Sequence, residues 1–383
     1  MVRSFVSNLT RALRHRNYFY FFIGHGVSLI GTWMQQIAVS WLVYRLTHSP
    51  FLLGLSAFFN QIPGLLLMSF AGVIADRFPR RTLLMVTQAL SLLQASFLAF
   101  LVLDERVEVW HLLVLGFSLG VVNTFDIPAR QAFLSELVPK QDLGNAIALN
   151  STIFHGARLI GPLVAGALIA VWSEGICFAI NAGSYLAVLG ALFLIRTGAP
   201  KKKRRGQMFA EWKEGFDYVR RDPFIRTLLL RMTGMSLLGM PYLSLLPVFA
   251  KDGFHGDSHT LGFLMGAAGM GALAGALLLA VQKGTANLKG FLTAGGFAFA
   301  ISLGFFSQTG QLNTAAFLMF AAGLGMMLQM AAANTLIQSR VRDDMRGRAM
   351  SFFALANMGV TPLGVLGIGF LAERFGAQAA LLG

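Results

Sequence analysis

Eleven long apolar segments, separated by short polar connectors, constrain this sequence more than any other feature. A helix needs about 20 apolar residues to cross the roughly 30 Å hydrocarbon core of a bilayer. The segments have about that length, and we place them at residues 18–44, 51–75, 82–103, 110–128, 144–172, 176–196, 224–249, 260–281, 290–307, 313–336 and 349–372. The pattern therefore predicts an all-α protein whose helices cross a membrane many times.

A twelfth apolar segment begins near Ala377, and the sequence ends at Gly383. Seven residues are too few to cross the hydrocarbon core, so we expect twelve spans of which the last is truncated. The composition agrees with a membrane protein. Hydrophobic residues make up 55% of the chain and charged residues only 13%, whereas soluble domains contain about 25% charged residues.

The net charge of +14 raises the question of a nucleic-acid-binding protein. Nucleic-acid binding would require the basic residues to share one face, but here they lie in the connectors between spans. With the N-terminus in the cytoplasm, 24 of the 31 Lys and Arg residues fall in cytoplasmic segments and only 4 in outer connectors. Because Lys and Arg are retained on the cytoplasmic side, we expect a cytoplasmic N-terminus and no nucleic-acid partner.

A long basic connector divides the predicted spans into two sets of six, and it contains five consecutive basic residues at 201–205. We therefore predict an N-terminal six-helix bundle at 1–196, a cytoplasmic loop at 197–222 and a C-terminal bundle at 223–383. Glycines recur at an offset of 203 positions, as in Gly72 with Gly275 and Gly166 with Gly369. This weak repeat predicts a parallel duplication, and such repeats place a substrate site between them near the bilayer midplane.

A charged motif follows the second span and reads Gly72-Val-Ile-Ala-Asp76-Arg77-Phe-Pro-Arg80-Arg81. It resembles the signature of the major facilitator superfamily between helices two and three, although Pro79 stands where the family has Gly. In that family the element latches the two halves together on the cytoplasmic side. The resemblance therefore implies gating by Gly72, Asp76, Arg77, Arg80 and Arg81. The alternative is a loop that only anchors the chain at the membrane surface.

A second motif lies in the fifth span, where the chain reads Gly156-Ala-Arg-Leu-Ile-Gly161-Pro162-Leu-Val-Ala-Gly166. It resembles the glycine and proline element of the superfamily's drug:proton antiporters, with a different glycine spacing, and so implies export. The surrounding residues, such as Pro128 and Arg130, resemble the branch that contains enterobactin exporters and macrolide-efflux proteins. This resemblance implies two six-helix bundles around a central cavity and a monomer in the bacterial cytoplasmic (inner) membrane.

Ionisable residues inside the spans are functional candidates, because a charge at the bilayer centre costs about 2.5 to 3.5 kcal/mol. We expect Arg158 to contact an anionic substrate or to pair with Asp126. Asp126 is a candidate for proton coupling, although Arg130 follows one helical turn later and would also suit a structural ion pair. An unperturbed histidine titrates near neutral pH, which makes His25 and His155 further coupling candidates, with hydrogen-bonded structural roles as the alternative.

Uncharged polar residues supply the other substrate candidates. In the superfamily fold the first, fourth, seventh and tenth helices face the cavity, which favours four of the candidates over the other two. The favoured residues are Gln35, Asn123, Gln329 and Asn334, and the others are Trp33 and Asn60. Gly271 and Gly275 in the eighth span have the small-xxx-small spacing that predicts close helix packing.

Enzymatic chemistry finds no support in the sequence, which lacks a His-Glu-x-x-His pair, a Gly-x-Ser-x-Gly elbow and a Gly-Lys-Ser/Thr loop. The single cysteine, Cys177, excludes a disulfide framework. We expect no cofactor and no metal site, and uphill transport must then use an ion gradient. The predicted function is proton-coupled export of a small amphiphilic molecule, drug-like compound or siderophore, by alternating access among membrane lipids. A lipid or lysophospholipid flippase and a non-transporting receptor are the alternatives.

Overall fold

The computed structural model describes residues 10–195, 208–282, 287–342 and 345–382, and these residues form helices and no β-strand. The first six long helices, α1 to α6, are Arg16–Thr47, Pro50–Arg77, Arg80–Leu103, Val109–Leu137, Leu143–Val171 and Glu174–Leu194. The nine that follow, α7 to α15, are Met208–Arg221, Pro223–Gly234, Tyr242–Val248, Ser258–Val281, Leu288–Phe306, Leu312–Arg340, Arg346–Ala354, Thr361–Phe375 and Ala377–Leu382.

Ten helical segments in the described part of the chain are long and apolar enough to cross a membrane, which confirms the predicted all-α membrane protein. They correspond to predicted spans two to eleven. The first predicted span lies in α1, which is 32 residues long but is not one of the ten. Its polar residues, such as Asn17, His25, Thr32 and Gln35, lower its mean hydropathy.

Two of the confirmed spans, predicted at 224–249 and 349–372, contain π-helical turns that divide each of them into shorter α-helices. The first contains wide π-helical turns at Met235–Gly239 and Phe249–Gly253, and the second contains one at Leu355–Gly359. Prolines stand close to these turns, for example at Pro241 and Pro362. A proline has no N–H to donate and crowds the preceding turn, so it interrupts the regular hydrogen bonding of a helix.

The described chain forms two compact units. Unit 1 contains Met1–Val43 and Ile62–Lys203, and unit 2 contains Tyr44–Gln61 and Arg204–Gly383. The end of α1 and the first part of α2 therefore belong to unit 2. The bundles at 1–196 and 223–383 stay a prediction, and the basic residues at 201–205 lie outside the described residues.

Within unit 2, the start of α2 is held by side chains from later helices. The Glu373 carboxylate accepts hydrogen bonds from the Ser49 hydroxyl, 2.8 Å, and the Phe51 backbone N–H, 3.1 Å, and so caps this helix. The Tyr44 hydroxyl donates to the Asp252 carboxylate. These contacts explain why residues 44–61 belong to unit 2.

Large apolar side chains on the helix faces are exposed in the described chain, among them Leu93, Phe193, Val281 and Phe317. A soluble monomer would rarely leave so many such groups in water. They are the surface that faces hydrocarbon in a membrane protein, where lipid is the solvent.

Candidate substrate and coupling sites in unit 1

A cation and two aromatic rings meet where α1 lies against α5. The guanidinium carbon of Arg158 lies 5.7 Å from the centre of the Trp33 ring. Trp33 also meets Phe154 edge-on, with the ring centres 5.9 Å apart. A cation over an aromatic face is attracted by the ring quadrupole, and the attraction strengthens when water is excluded. This contact holds the Arg158 charge next to an apolar surface.

His155 completes what we call the aromatic–arginine cluster, namely Trp33, Phe154, His155 and Arg158. His155 and Arg158 are three residues apart on α5 and so share a helix face. The buried Nδ1 atom of His155 has no hydrogen-bond partner in the part of the chain that the structure describes. A buried polar atom without a partner is costly and marks a place where a ligand or water can bind.

Gly161 explains why the helices approach closely at this cluster. A Cβ atom built at Gly161 would lie 2.5 Å from the Cβ of Trp33 and 3.2 Å from the carbonyl oxygen of Ile30. Any side chain at residue 161 would therefore displace Trp33. Pro162 and Gly166 are also buried in α5, whereas a Cβ at Gly156 would meet no described atom within 4 Å.

A second polar cluster surrounds the carboxylate of Asp126, which is 3% exposed in the middle of α4. Its Oδ1 atom accepts hydrogen bonds from the Thr87 hydroxyl, 2.8 Å, and the Gln88 amide, 2.9 Å, both from α3. Its Oδ2 atom lies 3.3 Å from Nη2 of Arg130. The ion pair predicted from the spacing of four residues is therefore present, with two further donors around the same carboxylate.

His25 on α1 contacts the other side of the Arg130 guanidinium. Nη1 of Arg130 lies 3.2 Å from Nε2 and 3.4 Å from Nδ1 of the imidazole. The His25 ring stacks on Phe21 with 5.3 Å between ring centres. An arginine N–H donates only to a ring nitrogen that carries no proton. In this arrangement His25 is a neutral acceptor for Arg130.

Three further substrate candidates are Gln35 and Asn123 in unit 1 and Asn60 in unit 2. Gln35 is 3% exposed; its side chain donates to Gln94, 3.0 Å, and accepts from Asn181, 2.7 Å. Its amide is therefore engaged inside the bundle. Asn123 on α4 is partly exposed, as is Asn60 on α2, which belongs to unit 2.

The other two unit 2 candidates lie on α12. Gln329 is buried and its side chain packs against Gly296 on α11. A Cβ atom built at Gly296 would lie 2.9 Å from the Oε1 atom of Gln329. Asn334 accepts a hydrogen bond of 2.6 Å from Gln338, one turn later on the same helix.

Arg80 and Arg81, the basic pair of the predicted gating motif, contact other residues of unit 1. Arg80 forms an ion pair of 2.6 Å with Glu136 at the end of α4. Arg81 donates to the carbonyl oxygens of Leu192 and Phe193, at 2.7 Å and 3.3 Å, and so satisfies the C-terminus of α6. Arg77 is exposed at the end of α2, where a Cβ at Gly72 would meet no described atom within 4 Å. The side chain of Asp76 lies outside the described residues.

Sequence reasoning missed a polar stripe on α3. Thr87, Ser91 and Gln94 are spaced four and three residues apart, and Gln88 adjoins them, so all four side chains lie on or next to one helix face. All four are buried. The sequence signal that could have identified this stripe is the helical spacing of four polar residues in an otherwise apolar span. No group of three or more His, Cys, Asp or Glu side chains suited to a metal ion is present in the described residues.

Residues 8–383 match a family model described as "Transmembrane secretion effector". The chain is 27% identical over 367 residues to the Staphyloferrin A transporter of Staphylococcus aureus, covering 93% of this chain and 90% of that protein. It is 24% identical over 369 residues to Macrolide efflux protein A of Streptococcus pyogenes, covering 93% and 89%. The identity to the Enterobactin exporter of Shigella boydii is 23% over 279 residues, covering 72% and 66%.

A solved structure supports the fold at lower sequence identity. It is a bacterial homolog of the human lysosomal transporter Spinster, with a TM-score of 0.73 and 15% identity, covering 94% of this chain and 83% of that one. This likeness bears on the fold alone. The family match and the relatives confirm the predicted superfamily and branch.

Proposed function

Because this chain belongs to the transmembrane secretion effector family of the major facilitator superfamily, we propose that it exports a small amphiphilic molecule across the bacterial cytoplasmic membrane, coupled to protons. The names of its relatives support export, since they include transporters for staphyloferrin A and enterobactin and a macrolide efflux protein. Family membership makes it a multi-pass membrane transporter. The substrate class and the coupling ion are the parts that we propose.

The aromatic–arginine cluster is the observation that supports an anionic amphiphile as substrate. Arg158 presents a permanent positive charge beside the Trp33 ring, and the unpartnered Nδ1 of His155 lies on the same helix face. A molecule with an anionic group and an aromatic or apolar body could pair with Arg158, bond to His155 Nδ1 and pack on the Trp33 ring. A cationic molecule would be repelled by Arg158.

The cluster around Asp126 supports protons as the coupling ion. A buried carboxylate with two hydrogen-bond donors and one guanidinium has no room in its shell for a metal cation, which would lie next to the charge of Arg130. A proton needs no coordination sphere. We propose that Asp126 binds and releases the proton as its access alternates, with Arg130 and His25 as its neighbours.

The substrate proposal is tested with purified protein in proteoliposomes loaded with matched anionic and cationic fluorescent amphiphiles. We expect the anionic probe to be transported in preference. Replacing Arg158 by Gln should lower its kcat/KM by about tenfold to a hundredfold, because a charge-assisted contact contributes about 1.5 to 3 kcal/mol. Arg231→Gln is the matched control, since Arg231 also enters a span but lies exposed in unit 2.

The proposal fails if no amphiphile crosses under any gradient. It also fails in its substrate class if Arg158→Gln and Arg231→Gln change anionic transport equally. Flux of a fluorescent phospholipid in place of the soluble probes would instead support the flippase alternative.

A further inference from the structure

Thr87 has two acceptors for the one hydrogen of its hydroxyl group. Its Oγ1 atom lies 2.8 Å from Oδ1 of Asp126 and 3.0 Å from the carbonyl oxygen of Leu84. A threonine hydroxyl donates one hydrogen bond at a time and can also accept. While Asp126 is ionised, the hydrogen points to the carboxylate. If Asp126 carries a proton, the Thr87 hydrogen can turn to the carbonyl oxygen of Leu84.

Gln88 offers the same choice through its amide. Its Nε2 atom donates to Oδ1 of Asp126 at 2.9 Å. Its Oε1 atom is buried and has no hydrogen-bond partner in the described chain, in a side chain of which 7% is exposed. A buried acceptor left without a donor is costly. Rotation of the amide by half a turn would aim Oε1 at Asp126, where a protonated carboxyl group can donate to it.

We propose that Thr87 and Gln88 form a proton-responsive shell, two positioning residues that adopt one hydrogen-bond arrangement when Asp126 is ionised and the reverse arrangement when it is protonated. One proton enters and binds a carboxylate oxygen, and no other covalent bond changes. In the ionised state both side chains donate to Asp126. In the protonated state the acid O–H donates to Gln88 Oε1, and Thr87 donates to Leu84. This inference rests on the proposed role of Asp126 as the proton carrier.

The charged and titratable groups around the shell come from three helices. Arg130 on α4 is 3.3 Å from Asp126 and also contacts His25 on α1. The hydroxyl group of Tyr185 on α6 interacts electrostatically with Asp126. Protonation removes the negative charge that holds Nη2 of Arg130. The shell therefore connects proton uptake on α3 and α4 to α1 through the Arg130 contact with His25.

A polar network that only ties helices together would not depend on which glutamine is replaced. The chain offers a matched control in Gln94, which lies on the same helix and is 8% exposed. Its side chain bonds to Gln35 and the carbonyl oxygen of Leu115. Replacing Gln94 removes a buried amide without removing any partner of Asp126.

Infrared difference titration of the purified full-length protein in detergent tests the shell without any substrate. The C=O band of protonated Asp126 is assigned by its absence in Asp126→Asn. We expect Thr87→Val and Gln88→Met each to raise the midpoint of this band by about one pH unit, because each removes a donor to the ionised form. Thr87→Ser should restore the midpoint, and Gln94→Met should leave it unchanged.

The band position gives a second readout of the reversed arrangement. In Gln88→Met the acid O–H loses its acceptor, so the C=O band should move to higher frequency, whereas Gln94→Met should leave it in place. The shell is refuted if the band is present and neither Thr87→Val nor Gln88→Met moves its midpoint, a result that leaves Asp126 as carrier intact. If the wild-type protein shows no band that Asp126→Asn removes, the proposed coupling role falls and the shell with it.

Discussion

The two units of this transporter bury very different side chains. In the described residues, every buried His, Asp and Glu belongs to unit 1, and these are His25, Asp126, Asp142 and Glu174. The buried polar residues of unit 2 in the same described ranges are serines, Thr260 and Gln329. A buried charge is costly unless it is paired or used, so the difference supports the proposal that proton coupling takes place in unit 1.

In unit 2, small residues allow direct contact between helix backbones. A Cβ atom at Gly323 on α12 would overlap the carbonyl oxygen of Ala268 on α10. A Cβ at Gly271 on α10 would likewise overlap the carbonyl of Phe320. Such close approach strengthens van der Waals packing, which has to replace the hydrophobic effect between helices in lipid. The contrast therefore supports the proposal that proton and substrate contacts lie in unit 1, and it places the closest backbone contacts, at Gly271 and Gly323, in unit 2.

The largest effect that would sharpen this contrast is expected at Asp126. Asp126→Asn keeps the size of the residue and one acceptor oxygen for Thr87 and Gln88, but it replaces the oxygen that faces Arg130 by an NH2 group and cannot exchange a proton. We expect uphill export driven by a pH gradient to disappear, while exchange of substrate without a gradient continues. Both are measured in proteoliposomes. Continued uphill export at the wild-type rate would mean that unit 1 does not contain the coupling group.

The next largest effect tests packing in unit 2. Gly323→Leu should destabilise the protein by about 1 to 3 kcal/mol, since the added side chain has to separate α10 from α12. Thermal unfolding in detergent measures this. Gly304→Leu is the control, because a Cβ at Gly304 meets no described atom within 4 Å. Equal loss of stability in both variants would contradict the assignment of packing to the α10 and α12 contact.

A smaller and more selective effect is expected at the aromatic–arginine cluster. Gly161→Ala adds a methyl group that collides with Trp33, so it should raise KM for an anionic amphiphile several-fold. Gly156→Ala on the same helix has space for the methyl group and should leave KM unchanged. Transport rates of the two variants at a series of probe concentrations give the two KM values. A change of equal size in both would remove the cluster as a substrate contact.

The smallest effect concerns Asp222, which caps α8 in unit 2. Burial acts in the opposite direction, but the hydrogen bonds from Arg340 and from the backbone N–H groups of Ile225 and Phe224 lower the pKa of Asp222 below its usual value. A lowered folded-state pKa contributes stability above the unfolded pKa, and this contribution is lost as pH falls through the folded value. Asp222→Ala should therefore cost about 1 kcal/mol at neutral pH and less in acid.

Thermal unfolding of Asp222→Ala and the wild type at neutral and acidic pH measures this difference. Asp222→Asn keeps the cap and should lose less than Asp222→Ala at neutral pH. A penalty for Asp222→Ala that grows in acid would show the opposite sign of linkage and contradict the capping role.

Sequence reasoning predicted the helices well because apolar length is a local property. The predicted segment at 82–103 and helix α3, Arg80–Leu103, differ by two residues at one end. The π-helical turns at Met235–Gly239 and Leu355–Gly359 were not predicted, because they depend on how a helix accommodates its neighbours and on prolines that tolerate several geometries.

The sites were predictable only in part. Arg130 four residues after Asp126 signalled an ion pair, and the structure contains it. The partners from other helices, Thr87 and Gln88, could not be assigned to Asp126, because a sequence does not state which helices adjoin. Gln94 and Asn181, the hydrogen-bond partners of the Gln35 amide, were likewise not predictable, because they lie on other helices. The cavity role of Gln35 stays a prediction.

Proton movement during substrate export is the most direct test of the division of roles between the units. Proteoliposomes that contain a pH-sensitive dye would report proton flux and transport of an anionic amphiphile together. We predict that export of substrate by the wild-type protein is accompanied by proton flux in the opposite direction. Asp126→Asn should abolish this proton flux but not substrate exchange. A proton flux of equal size in Asp126→Asn would contradict the account.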